Sequence, residues 1–306
     1  MSVRRSEKII LGSRGSELAR AQTRLVAVAL GRAVPGVEIT TQFISTRGDR
    51  RSTEPLDPRA GRKGLFTGEV ERALVAGEID MAVHSAKDLP SEMTPGLEIA
   101  SVLPRAPTED LLITKTAATP SGTIATGSVR RQHQLRWKYP NVEVIDLRGN
   151  VPTRLRKFVE SDWSAIVLAR AGLERLGYDL TQAGFQFEGV SFHAEILPFD
   201  DFVPAGGQGI VAMQVRSADE EAKSIGQAIN DQNTLLCLEA EREFLRLLQG
   251  DCGSPVGVQA VIAGPKMDLR AQVFDPSRIE PRTGRVEGVP SAPGKLAREL
   301  WETIND

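Results

Sequence analysis

The sequence predicts an α/β protein, with two doubly wound sheets built from two rounds of alternating strands and helices, followed by a small α+β domain. Three observations carry this. Short apolar runs alternate with helix-period segments from Lys8 to Val83. The same alternation starts again near Glu109 and runs to Leu176. From Asp219 the order changes to helices first and strands after, which suggests segregated layers.

In the first round, Lys8–Leu11 reads as a strand and Ser16 to about Ala33 as a helix, with Leu18, Ala21, Leu25 and Val28 at helical spacing. Val37–Ser45 is the next strand. Phe66–Gly77 is a helix stopped by glycine, and Ile79–Val83 is a strand. This order predicts a mostly parallel sheet. In the second round, strands are expected at Leu111–Thr114, Thr123–Thr126, Val142–Asp146 and Ala165–Ala169, and helices at Val129–Lys138, Val151–Ser161 and Ala171–Leu176. The Pro204-Ala-Gly-Gly-Gln-Gly209 segment reads as a hinge that returns the chain to its first domain. Helices at about Asp219–Asn230 and Thr234–Gln249, strands at Val256–Ala263 and Met267–Phe274, and a helix at about Pro293–Ile304 make the last domain.

Composition narrows the class. The chain has 306 residues, 41% apolar and 25% charged, with a formal charge of −2. That balance disfavours a basic nucleic-acid binder, and 5% aromatic residues disfavour base stacking. No apolar run nears the about 18 residues of a membrane span, and Ile9–Leu11 is too short a core for a signal peptide. Two cysteines, Cys237 and Cys252, make no disulfide framework, so a cytoplasmic protein is expected.

Cations recur after the strands. Arg14, Arg47, Lys87, Arg130 with Arg131, Arg148, and Arg170 with Arg175 each follow an apolar run. With parallel strands they gather on one edge of each sheet, where open α/β sheets bind ligands. Two such domains facing each other would line a cleft with guanidiniums, which suit carboxylates and phosphates through their planar fork. Ser16 and Ser128 precede helices and offer either plain capping or an anion site. No P-loop, dinucleotide fingerprint, nucleophile elbow or zinc-protease motif occurs. His84, His133 and His193 are too scattered to suggest a metal centre. A small polycarboxylate remains the economical ligand. Arg50–Lys63 is long, basic and holds Pro55, Pro58 and Gly61, and it reads as a lid or as a solvated loop.

Two residues stand out for chemistry. Asp88 lies in Ile79-Asp-Met-Ala-Val-His-Ser-Ala-Lys-Asp-Leu-Pro90, beside Lys87. Positive neighbours keep a carboxylate ionised, which suits it to stabilise a cation formed during a reaction or to hold an N–H donor. A plain salt bridge is the other reading. Cys252 sits between glycines in Gly250-Asp-Cys-Gly-Ser-Pro255 and is either structural, a thiolate nucleophile or a site of covalent attachment. Cys237 falls among leucines and reads as core.

Lys63-Gly-Leu-Phe66, Ala82–Pro90, Val129-Arg-Arg-Gln132, Leu147-Arg-Gly-Asn-Val151, Ala169–Leu176, Pro204–Gly209 and the Cys252 loop occur in the order seen in the porphobilinogen deaminases, also called hydroxymethylbilane synthases. The chain resembles that family over nearly its whole length, least after Met267. The resemblance implies three domains: residues 1–104 with 205–222, residues 105–204, and residues 223–306. The first two resemble periplasmic binding proteins around a cleft. It implies an enzyme that joins four porphobilinogen molecules head to tail, releases ammonia and yields the linear tetrapyrrole hydroxymethylbilane. It also implies a dipyrromethane cofactor held by a thioether at Cys252. By motif, Asp88 contacts pyrrole N–H groups and steadies the cation left when ammonia departs, with Lys87 and Arg14 beside it in catalysis. Lys87, Asp88, Ser128, Arg130, Arg131, Arg148 and Arg154 match cofactor positions. Arg14, Ser16, Gln22, Arg148 and Arg175 match substrate positions, and Asp49, Lys63 and Gln208 match lid or hinge positions. A monomer acting on a small molecule, without nucleic acid, membrane or metal, is expected. The other reading is a carboxylate-binding or ligand-sensing protein on the same two-domain fold. The third domain and Cys252 count against it.

Overall fold

The computed structural model describes residues 8–46, 67–117, 121–249, 254–275 and 278–305. In chain order these form β1 (Lys8–Arg14), α1 (Glu17–Ala33), β2 (Glu38–Ile44), α2 (Gly68–Val75), β3 (Met81–Ser85), β4 (Leu97–Val102) and β5 (Asp110–Thr114). There follow β6 (Thr123–Ala125), α3 (Val129–Lys138), β7 (Glu143–Ile145), α4 (Val151–Glu160), β8 (Ala165–Ala169), α5 (Arg170–Arg175), β9 (Gly184–Phe187) and β10 (Val190–Ile196). The chain ends with β11 (Val211–Arg216), α6 (Glu220–Gln227), α7 (Gln232–Leu247), β12 (Val256–Ala263), β13 (Lys266–Val273), β14 (Arg282–Gly288) and α8 (Pro293–Asn305). The chain divides into two compact units, Met1–Arg105 with Ile210–Leu236, and Ala106–Gly209 with Cys237–Asp306.

The first unit holds a sheet of order β2-β1-β3-β11-β4. Strand β1 runs parallel to β2 and β3, while β11 is antiparallel to β3 and β4. Alternate residues face opposite sides of a strand, and here both sides are covered. Ile9, Leu11, Met81 and Val83 pack with Val26 and Leu30 of α1. Ile10 and Ala82 point the other way, toward Val70 and Leu74 of α2. Burial on both faces explains why these strands read as continuous apolar runs.

The second unit holds a sheet of order β7-β6-β8-β5-β10-β9 and a smaller sheet of order β12-β13-β14. Strands β6, β7 and β8 are parallel, whereas β5 and β10 pair antiparallel with their neighbours. Ile166 and Leu168 join one core with Leu111, Ile113 and Phe158. Ala165 and Val167 join the opposite one with Leu112 and Leu135. On the small antiparallel sheet, Gly284 and Gly288 leave room for Ile304 and Leu296 of α8.

Three expectations need correction. The sheets are mixed, because β11, β5 and β10 enter antiparallel through returns of the chain that have no local strand–helix signal. Strands β4, β9, β10, β11 and β14 were not expected from the pattern. The inward face of α1 carries Gln22, Thr23, Val26 and Leu30, while Leu25 and Val28 are 46% and 47% exposed. Gln22 and Thr23 turn inward because Ser85 and Ser13 offer them hydrogen bonds.

Candidate active site

The carboxyl ends of β1 and β3 build one polar cluster in the first unit. Arg14 is the last residue of β1. Ser16 caps α1, its hydroxyl accepting from the Ala19 N–H at 3.3 Å. Strand β3 ends at Ser85 and tightens into a 3-10 turn over Ala86–Asp88, with Pro90 unable to extend a helix. Lys87 and Asp88 therefore stand, half-buried, at the strand's end. The Arg14 guanidinium lies 3.7 Å from the Asp88 carboxylate, with side chains 22% and 33% exposed. Gln22 is buried and donates to Ser85 Oγ at 2.8 Å.

Behind Ser85 runs a buried polar chain absent from the sequence reading. His84 Nε2 meets Gln214 Oε1 at 3.1 Å, Gln214 donates to Glu71 at 2.9 Å, and Thr94 donates to the same carboxylate at 2.9 Å. Burial pushes His84 down to about 4, against the upward pull of Glu71 and its bond to Gln214. His84 is thus neutral near pH 7.

The carboxyl ends of β6, β7 and β8 carry the cations of the second unit. Ser128 caps α3, accepting from the Arg131 N–H at 3.5 Å. Arg130 and Arg131, in its first turn, are buried and point to Asp110, the first residue of β5. Burial alone would raise the Asp110 carboxyl, but the two guanidiniums hold it well below the usual carboxylate range. Gln208 also donates to Asp110, at 2.7 Å. Arg148 pairs with Asp146 at 2.6 Å, and Arg154 donates to the Gly149 carbonyl at 2.7 Å. Arg175 donates to the Gly209 carbonyl at 2.6 Å, and burial lowers it to about 10, still a cation near neutrality. Arg170 is held by Glu174 and Glu109.

Each unit thus gathers its own expected residues at one sheet edge: Arg14, Ser16, Gln22, Lys87 and Asp88 in the first, Ser128, Arg130, Arg131, Arg148, Arg154, Arg175 and Gln208 in the second. Several of these cations already have carboxylates of their own unit. Asp110 escaped the sequence reading, although an acid opening the apolar run Leu111–Thr114 was the available signal. Glu241 escaped it too. It is buried on α7 and accepts from the Gly207 and Ala260 N–H groups at 2.6 and 2.7 Å. Cys252, Asp49, Lys63 and the Arg50–Lys63 segment lie outside the described residues.

Residues 9–224 match the family model described as porphobilinogen deaminase, dipyromethane cofactor binding domain, and residues 235–305 match the porphobilinogen deaminase C-terminal domain. The chain belongs to the porphobilinogen deaminase family. A porphobilinogen deaminase of Roseiflexus sp. (strain RS-1) is 42% identical over 87% of this chain and 86% of its own length. That of Chloroherpeton thalassium is 38% identical over 97% and 90%. Among solved structures, the periplasmic aliphatic sulphonate binding protein SsuA from Escherichia coli is similar at 12% identity. Its TM-score is 0.40, over 79% of this chain and 71% of that one. Among the described residues of this deaminase-family chain, no helix is long and apolar enough to cross a membrane.

Proposed function

We propose that this chain joins four porphobilinogen molecules head to tail, releasing ammonia, to give hydroxymethylbilane, on a dipyrromethane held by a thioether at Cys252. It is an enzyme of a family that polymerises porphobilinogen into hydroxymethylbilane, with a cofactor-binding domain over residues 9–224. The observation that carries the residue assignment is the Arg14–Asp88 pair. At 3.7 Å and partly exposed, such a pair contributes at most about 1 kcal/mol. Asp88 can therefore exchange it for a pyrrole N–H at small cost.

The chemistry of the donors fits a dipyrromethane. Arg130 and Arg131 each keep a buried Nε–H without a hydrogen-bond partner, and such orphans suit the carboxylates of acetate and propionate arms. When bound, this group supplies the pyrrole carbon from which the chain grows. Lys87, Ser128, Arg148 and Arg154 would hold its arms with them. Arg14, Ser16, Gln22, Arg148 and Arg175 would orient incoming porphobilinogen. As the C–N bond breaks, its electron pair leaves with ammonia, and positive charge develops on the substrate's pyrrole. The Asp88 carboxylate stabilises that charge in place of solvent, with Lys87 and Arg14 orienting it. Asp49, Lys63 and Gln208 would act as lid or hinge.

The sheets are in keeping with three domains. The six-stranded sheet falls within residues 105–204 and the three-stranded sheet within 223–306. A cytoplasmic setting accords with two cysteines, and an absence of nucleic-acid binding with a formal charge of −2; a monomer follows the family resemblance alone.

Intact mass of the active protein, with a colour reaction for dipyrroles, tests the proposal. The expected result is the chain mass plus one dipyrromethane, with the adduct mapped to Cys252. Active material at the bare chain mass, or an adduct on Cys237, overturns it.

A further inference from the structure

Asp110 gathers three side chains that the family resemblance assigns to the site. Its Oδ2 accepts from Arg130 Nη2 at 2.8 Å. Its Oδ1 accepts from Arg131 Nη2 at 2.6 Å and from Gln208 Nε2 at 2.7 Å. The carboxylate is buried, and so are all three donors. The outer nitrogens are tied as well. Arg130 Nη1 donates to Gln134 and to the Val203 carbonyl, at 2.8 and 2.9 Å. Arg131 Nη1 donates to the Val167 carbonyl at 3.0 Å, and Gln208 also donates to the Thr108 carbonyl at 2.7 Å.

Two guanidiniums and one carboxylate leave the cluster with an excess positive charge. An uncompensated buried charge is costly. Each guanidinium also leaves its Nε–H unspent. Both facts point to an anion as the missing partner.

We propose that Asp110 is a positioning residue: its carboxylate locks Arg130, Arg131 and Gln208 into one geometry in which both arginines present an unspent N–H to ligand carboxylates. This rests on the reading above, in which Arg130 and Arg131 hold the cofactor's arms. Asp110 touches no ligand itself. It reduces the rotamer freedom that the two long side chains would otherwise lose on binding, and it leaves charge for the ligand to neutralise.

The experiment compares the full-length wild type with Asp110→Asn, Asp110→Glu, Arg131→Gln and the double variant Asp110→Asn/Arg131→Gln, each incubated with porphobilinogen. Three quantities are read: dipyrromethane occupancy by intact mass, KM against kcat in loaded protein, and melting temperature. Asp110→Asn should lower occupancy on the order of tenfold or more and raise KM more than it lowers kcat. Asp110→Glu keeps the charge but moves the carboxylate by one methylene, and should fall between. The double variant should lose little beyond the worse single one, because both act on one cluster. Wild-type occupancy and KM in Asp110→Asn, with only the melting temperature lowered, overturn the proposal. Additive losses overturn it too. If Asp110→Asn does not fold, Asp110→Glu decides by the same criteria. A wild type without the added mass sinks the cofactor reading and this proposal together. An added mass that Asp110 does not influence sinks this one alone.

Discussion

The Gln22 amide donates to the Ser85 hydroxyl at 2.8 Å, and this bond fastens helix α1 to the end of β3 just before Asp88. Gln22 is buried, so its loss leaves a poorly solvated hydroxyl behind. Gln22→Leu should cost about 1–3 kcal/mol in urea unfolding, and Ser85→Ala should cost less. Their double variant should reveal a coupling of about 1 kcal/mol. Strict additivity would mean that the bond contributes nothing.

His84 should make the protein acid-sensitive. Its folded value of about 4 lies below the ordinary 6.5, chiefly through burial. Between those values the unfolded chain binds a proton that the folded chain does not. The stability contribution of His84 is therefore complete above about pH 6.5 and falls as pH drops toward 4, by about 3 kcal/mol at most. Melting curves across that range should be steeper in the wild type than in His84→Gln. Equal slopes would remove His84 as the cause.

Asp88→Asn should separate stability from chemistry. The carboxylate's ion pair with Arg14 is loose and partly exposed, so unfolding free energy should change by less than about 1 kcal/mol. Ammonia release should fall on the order of a hundredfold or more. Turnover near the wild-type rate in a fully loaded Asp88→Asn enzyme contradicts the role assigned to this residue.

Gly209 should resist substitution where Gly264 does not. Both have positive φ, +83° and +59°, but a Cβ at Gly209 would strike the Ala106 carbonyl, while a Cβ at Gly264 meets nothing within 4 Å. Gly209→Ala should cost more than the about 1 kcal/mol of left-handed strain alone. It should also disturb the carbonyl that receives Arg175 and the Ala106 N–H. Gly264→Ala should show the strain only. Thermal melts of the two, side by side, decide the matter.

Much of the architecture was readable because its strands are buried on both faces. The runs Met81–Val83 and Ala165–Ala169 announced themselves without any alternation of polarity. The helix caps Ser16 and Ser128 were readable for a local reason, since each bonds within its own first turn. Strand β11 was not, because it is fixed by long-range pairing with β3 and β4. The inward face of α1 was missed because apolar residues surround that helix, and two polar ones, Gln22 and Thr23, take buried positions. In the site, the arginines were legible as strand-end cations. Their shared counter-charge was hidden, because Asp110 meets Arg130 and Arg131 only after β5 is placed beside β8.

Strand β8 presents Ile166 and Leu168 to one hydrophobic core and Ala165 and Val167 to the other. A slip of one position would leave every side chain in apolar surroundings, so polarity cannot police its alignment. Bulk must do so. The shift would press isoleucine and leucine into spaces shaped for alanine and valine, and would open voids on the far side. Steric fit is thus the guardian of the edge on which the second unit's cations stand.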